Sequence, residues 1–174
     1  QKGIDLMLDT FDQMMSLSMS LMVLGTGDTE IETALVAKSA AYPGRFVLTR
    51  KFDEGLAHRM YAGSDFLLMP SRFEACGLSQ IIALRYGSIP VVRRTGGLKD
   101  TVQDIDSKTG TGNGISFDDA TPSEFLNAVR RAVRLYTDRD AFRRVQAIGM
   151  ACDFSWQASA HSYFALYHSM EVAS

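Results

Sequence analysis

The stretch Pro70-Ser71-Arg72-Phe73-Glu74-Ala75-Cys76-Gly77-Leu78-Ser79-Gln80 holds the chain's densest set of groups able to handle a phosphorylated, hydroxyl-rich ligand. Before it, Asp65-Phe66-Leu67-Leu68-Met69 is a short apolar run of strand type, stopped by Pro70. After it, Ile81-Ile82-Ala83-Leu84-Arg85-Tyr86 reads as a helix with Gly87 in the C-cap position. A strand therefore ends, a polar loop carries a carboxylate, and a helix begins at Gly77 or Leu78. In an open parallel α/β sheet, ligands bind at the carboxyl ends of the strands. The first amides of the following helix have no intrahelical partner and favour an anion. The segment can thus hold a phosphate on Gly77, Leu78 and Ser79, with Glu74 beside it for a hydroxyl-bearing group.

The other candidates are weaker on their residues alone. Arg93-Arg94-Thr95-Gly96-Gly97-Leu98 follows the strand-like Pro90-Val91-Val92. Its glycines allow close approach of a ligand, and a turn with two solvated arginines is an equal reading. Cys76, beside a helix start, reads either as a reactive thiol or as a small packing residue. Gly25-x-Gly27-Asp28 lacks the third glycine of a dinucleotide fingerprint and reads as a tight turn between strand and helix. His58, His161 and His168 do not have zinc-ligand spacing with the cysteines. There is no Gly-x-Ser-x-Gly elbow and no P-loop. Arg130/Arg131 and Arg143/Arg144 read as solvated helix faces, and Met14, Met15, Met19 and Met22 as core filling.

These residues need a scaffold, and the chain alternates between strand and helix. Helical spacing covers Ile4 to Leu17, Thr29 to Ala40, Glu54 to Ala62 and Leu78 to Tyr86. Further helices are predicted over Ser123 to Tyr136, Asp140 to Met150 and Trp156 to Met170. Short apolar strands are predicted at Leu21–Leu24, Arg45–Leu48, Asp65–Met69, Pro90–Val92 and Ile115–Phe117. Interleaved in this way they specify an α/β fold, a parallel sheet with helices on both faces. Asp104 to Asn113, rich in Gly, Thr, Asp and Ser, reads as a mobile loop.

At 174 residues the chain is expected to be one domain with a sizeable core. A net charge of −2 gives no basic field for nucleic acid or an anionic membrane. No apolar run is long enough to span a bilayer. Two cysteines are too few for a disulfide framework and fit a reducing compartment. Opening at Gln1-Lys2-Gly3, directly before an amphipathic segment, the chain reads as part of a longer protein.

Several further motifs join the Pro70 to Gln80 stretch. They are Lys2-Gly3-x-Asp5, Gly25-x-Gly27-Asp28, Leu56-Ala57-His58-Arg59-x-Tyr61-Ala62-Gly63-x-Asp65, Arg85-Tyr86-Gly87-x-x-Pro90 and the run from Val92 through Gly96-Gly97-Leu98 to Val102. With Asp153-Phe154-Ser155-Trp156 and Tyr163-x-x-Leu166-Tyr167, the set resembles bacterial glycogen synthase and plant starch synthase over the whole chain. The resemblance implies the C-terminal, nucleotide-sugar-binding Rossmann-like domain of a GT-B fold, with 151–174 as its closing helix. The domain's first strand and an Arg-containing loop would precede Gln1, and an N-terminal acceptor domain of the same chain would be the partner.

The implied reaction moves glucose from ADP-glucose to the non-reducing end of an α-1,4-glucan with retention, releasing ADP and needing no cofactor or metal. The resemblance assigns Glu74 and Lys2 to catalysis: Lys2 on the donor diphosphate, Glu74 facing the transferred glucose. Donor contact extends to Phe52, Ser71, Cys76, Gly77, Leu78, Ser79, Gly96 and Gly97. Phe52 stands where many members carry a tyrosine under the adenine, and Asp53 where some carry histidine. Ile82 stands where many retaining GT-B enzymes have a second Glu, a departure shared by glycogen and starch synthases. Ala75 replaces a common proline. The implied location is the bacterial cytoplasm, or the plastid stroma for a plant or alga. The alternatives are another retaining GT-B transferase using a UDP-sugar and a non-catalytic glucan-binding module.

Overall fold

The computed structural model describes residues 1–106 and 108–172. In chain order the elements are α1 (Ile4–Asp9), α2 (Phe11–Met15), β1 (Leu21–Leu24), α3 (Thr29–Ala41), β2 (Phe46–Thr49), α4 (Glu54–Gly63) and β3 (Phe66–Met69). There follow α5 (Ser79–Tyr86), β4 (Ile89–Arg93), α6 (Gly96–Thr101), β5 (Ile115–Phe117), α7 (Pro122–Thr137), α8 (Arg139–Ala151) and α9 (Trp156–Val172). Every strand pairing is parallel, as the alternating pattern requires. The strands form two groups, β1-β2 and β3-β4-β5. Between them lies an open cleft of about 1020 Å³, walled by Leu21–Leu24 on one side and Phe66, Leu67 and Leu68 on the other. Ala57, Met60 and Tyr61 of α4 also line it, with Ile4 and Met7 of α1 and Val129 and Ala132 of α7. A further strand laid in this cleft would join the two groups into one sheet.

The main core lies where α1, α2 and α7 meet the strands. Phe11, Met14, Phe125, Val91 and Ile115 are all buried there. Phe11 meets Phe46 edge-on, with ring centroids 4.9 Å apart. Burial of an aromatic or aliphatic side chain is worth about 1.5–3 kcal/mol, so this cluster fixes the platform beneath the loops. Met14 and Met15 are core residues as expected, whereas Met22 is 45% exposed and faces the cleft.

Three expectations change. The helical run from Ile4 breaks at Thr10, whose hydroxyl bonds back to the Leu6 carbonyl at 2.9 Å and whose φ of −109° leaves the helix. Such back-bonding competes with the helical ladder. Arg131 is a clamp rather than a solvated face: it donates to Asp104 Oδ2 at 2.7 Å and to the Ser116 carbonyl at 3.1 Å. The described part of the Asp104–Asn113 segment, expected to be a mobile loop, carries backbone pairing at both ends. Asp104 bridges to Gly114, and Asp106 to Thr111. Asn113 is buried, accepting from the Gln103 amide at 2.8 Å and donating to the Thr101 carbonyl at 3.0 Å. Ser107 lies outside the described residues.

Helix ends follow local chemistry. Asp28, at the end of the Gly25-x-Gly27-Asp28 turn, accepts from the amides of Glu30 and Ile31 and caps α3. Glu32 reaches back to the Gly27 amide at 2.8 Å, so this turn is an ordinary capping structure. Helix α9 takes no part in the apolar clusters among the described residues. Trp156 on it is 89% exposed, and Tyr163, Phe164, Tyr167 and Met170 are exposed as well.

Asn113→Ala removes the partners of the Gln103 amide and the Thr101 carbonyl, both part-buried. Urea unfolding should show a loss of about 1–3 kcal/mol; a change near zero would mean that the pin contributes nothing.

Candidate functional site: the loop after strand β3

The carboxyl ends of β3, β4 and β5 lie side by side, since Met69 is opposite Val92 and Arg93 opposite Phe117. Their loops, 70–78 after β3 and Arg94–Thr95 after β4, therefore emerge on one edge. The chain's own N-terminus is brought to the same edge. The Arg72 amide donates to the Gln1 carbonyl at 2.9 Å. Gly3, with φ of 73°, lies so close to Pro70 that a Cβ on it would stand 1.9 Å from the Pro70 carbonyl oxygen. Only glycine tolerates both the left-handed conformation and that contact. Arg72 anchors the arrangement from the other side by pairing with Asp5 at 2.5 Å.

The result is a direct meeting of two residues far apart in the chain. Lys2 Nζ lies 2.5 Å from Glu74 Oε2. The Glu74 side chain is only 13% exposed, whereas that of Lys2 is 61% exposed. A cation reachable from solvent thus stands against a mostly enclosed carboxylate. One pole suits an anion and the other suits hydroxyl groups or developing positive charge.

The anion side continues into α5. This helix begins at Ser79, with Leu78 as its non-helical boundary and Gly77 turned left-handed at φ 74°, slightly later than the sequence suggests. Among the described residues, no protein group accepts a hydrogen bond from the amides of Gly77, Leu78 or Ser79. These unpaired amides form the positive end of the helix.

Gly96 and Gly97 have a role the sequence did not reveal. A Cβ on Gly96 would come within 1.9 Å of the Glu74 carbonyl oxygen, and one on Gly97 within 2.3 Å of that of Cys76. The Gly97 amide donates to the carbonyls of Glu74 and Ala75, at 3.2 Å each. The glycine pair is thus the seat on which the Glu74 loop rests, at the start of α6, a short helix. Of the two arginines before it, Arg94 pairs with Asp118 at 3.6 Å and Arg93 donates to the Arg72 carbonyl at 3.2 Å.

The remaining candidates are spread around this centre. Cys76 is an exposed free thiol. Ser71 is buried, at 1% exposure. Phe52 stands on the loop after β2 and is 91% exposed. Beside it, Asp53 is committed to structure, accepting from the Leu56 amide at 2.8 Å and pairing with Lys51 at 2.7 Å. The hydrogen bond from Lys51 and the Leu56 amide hold its carboxyl below the ordinary 3.8. Gln80, Arg72 and Gly3 were not singled out in advance. The one available signal was Gln80 itself, a polar residue on the Gln80-Ala83-Leu84 face that the fold buries. No cluster of three His, Cys, Asp or Glu side chains among the described residues is arranged to hold a metal ion, and no helix among them is long and apolar enough to cross a membrane.

Residues 1–134 match the family described as "Glycosyl transferases group 1". The chain belongs to the group 1 glycosyl transferases. Among relatives of this family member, a glycogen synthase of Desulfitobacterium hafniense is 45% identical over 100% of this chain and 38% of its own length. A glycogen synthase of an Anaeromyxobacter species is 49% identical over 98% of this chain and 36% of its own. The chain thus spans little more than a third of the curated relatives it matches. Among solved structures, the catalytic domain of starch synthase IV from Arabidopsis thaliana, bound to ADP and acarbose, superposes with a TM-score of 0.84 at 37% identity. That match covers 97% of this chain and 36% of the other. Sucrose-phosphate synthase from Thermosynechococcus elongatus, at 21% identity and a TM-score of 0.71, shares the fold. The architecture is therefore that of the Rossmann-like half of a GT-B glycosyltransferase.

Two outcomes follow for this transferase domain. Gly96→Ala forces a Cβ into the Glu74 carbonyl at a left-handed position; it should cost more than about 1 kcal/mol in urea unfolding, and unchanged stability would remove the seat from the account. Arg72, chiefly by its hydrogen bond, holds the Asp5 carboxyl below the ordinary 3.8. A depressed carboxyl stabilises the fold above its unfolded value and loses that contribution as pH falls through the folded one. Wild type should therefore exceed Asp5→Asn in stability at neutral pH, and the two should converge in acid below 3.8; a gap that persists there would assign the effect to something other than charge.

Proposed function

We propose that this chain is the donor-binding half of an α-1,4-glucan synthase, which transfers glucose from ADP-glucose to the non-reducing end of the glucan with retention. The observation that carries the reading is the Lys2–Glu74 pair, 2.5 Å apart beside the unpaired amides of Gly77, Leu78 and Ser79. The glycogen synthase relatives and the ADP-bound starch synthase support it.

In this reading the donor diphosphate lies on the start of α5, where the amides and the helix dipole meet its charge. Lys2 swings from Glu74 to the phosphates and stabilises the departing ADP as negative charge builds on it. Glu74 then holds sugar hydroxyls and stabilises positive charge at the anomeric carbon. Phe52 offers a ring face to the adenine. Ser71 and Gly97 enter as supports rather than direct contacts, the first buried and the second with its amide committed to the loop. Lysine and backbone amides together supply the positive charge, so the reaction needs no metal or cofactor. The glucan and an N-terminal acceptor domain of the same chain complete the active site. A synthase of this kind works in the bacterial cytoplasm or the plastid stroma.

Calorimetric titration with ADP, UDP and ADP-glucose, with and without magnesium, tests the reading. Binding should favour ADP and be indifferent to magnesium. Lys2→Ala should weaken ADP binding about tenfold. Glu74→Ala should leave ADP affinity intact while lowering turnover of the chain joined to its acceptor domain by about 10²-fold or more. Preference for UDP would reassign the donor, and full turnover by Glu74→Ala would remove its role.

A further inference from the structure

Gln80 is fully buried, yet its side chain is polar. Its amide nitrogen donates to the Cys76 carbonyl at 3.1 Å, the Gly77 carbonyl at 2.8 Å and Thr101 Oγ1 at 3.1 Å. Its Oε1 is buried with no hydrogen-bond partner. The orientation of the amide is set by these contacts, because reversing it would aim an oxygen at two carbonyls. An apolar side chain of this length would fill the same space without an orphaned acceptor. Packing alone therefore gives no reason for a glutamine.

The reason lies in the peptide planes. In a trans peptide the carbonyl and the following N–H point to opposite sides. Drawing the Cys76 carbonyl inward turns the Gly77 N–H outward, and drawing the Gly77 carbonyl inward does the same for Leu78. The Gly97 amide treats the two preceding units likewise, holding the carbonyls of Glu74 and Ala75. Four consecutive carbonyls, from Glu74 to Gly77, are thus held on the protein side by two donors. Thr101 joins these donors, accepting from Gln80 and donating to the Gly97 carbonyl at 2.7 Å. Gly77 completes the fit, since a Cβ there would lie 2.5 Å from Gln80 Oε1.

We infer that Gln80 is a positioning residue that aims the amides of Gly77 and Leu78 at a diphosphate without touching it. This deepens the functional reading above and rests on it for the identity of the nucleotide. The test titrates wild type, Gln80→Met and Thr101→Val with ADP, adenosine and pyrophosphate. Each variant's thermal unfolding is recorded alongside. Gln80→Met should lose about tenfold in ADP and pyrophosphate affinity and keep its adenosine affinity. Thr101→Val should lose less, in the same pattern. Equal losses for ADP and adenosine, or no loss, would overturn the inference. Should Gln80→Met fail to fold, the ratio of ADP to adenosine affinity in Thr101→Val decides, and an unchanged ratio overturns it. Wild type that binds pyrophosphate without preferring ADP would sink the nucleotide reading while leaving the role of Gln80 open to the same comparison on pyrophosphate alone. Wild type that binds neither would sink both.

Discussion

The whole site depends on one backbone-to-backbone contact: the amide of Gly97 against the carbonyls of Glu74 and Ala75. Two loops from neighbouring strands touch there with no side chain between them. The contact exists only because positions 96 and 97 carry no Cβ. It fixes the height of the Glu74 loop above β4, and hence where the carboxylate meets Lys2. It also leaves the outward side of that loop free of internal hydrogen bonds. The two glycines that the sequence offers for close ligand approach also seat the protein's own loop, with the Gly97 amide committed to it.

Charge around the loop is arranged in two tiers. The outer tier, Lys2 with Glu74, is reachable and can exchange partners with an incoming anion. The other, Arg72 with Asp5, ties the loop to the first turn of α1 and so holds Lys2 within reach. Both pairs are partly exposed, and exposed pairs contribute little to stability. Their value is geometric: each joins the N-terminal segment to the loop after β3, which chain connectivity alone would leave far apart.

Much of this was legible in the sequence. Alternating apolar runs and amphipathic segments gave the parallel α/β order, and Glu74, Gly77 and Lys2 stood in motifs specific enough to name in advance. What could not be read were contacts set by tertiary geometry. The break at Thr10 arises from a hydroxyl turning back on its own helix, which helical spacing does not register. Arg131 looks like any surface arginine on α7 until Asp104 and Ser116 are placed beside it. Gln80 sits in a quoted motif, but its work depends on the burial of one face of α5 and on Thr101 approaching from α6. Local pattern encodes elements; it does not encode which carbonyl an amide will find.

The cleft between the two strand groups has a further meaning. Each wall is a strand edge whose outer amides and carbonyls have no ladder partner among the described residues. Such edges are templates for pairing. Here two of them line one cleft, together with residues of α4, α1 and α7. An extended apolar segment laid between them would meet unpaired backbone groups on both sides. The two open edges thus mark, within the sheet itself, the place for one further strand between β1 and β3.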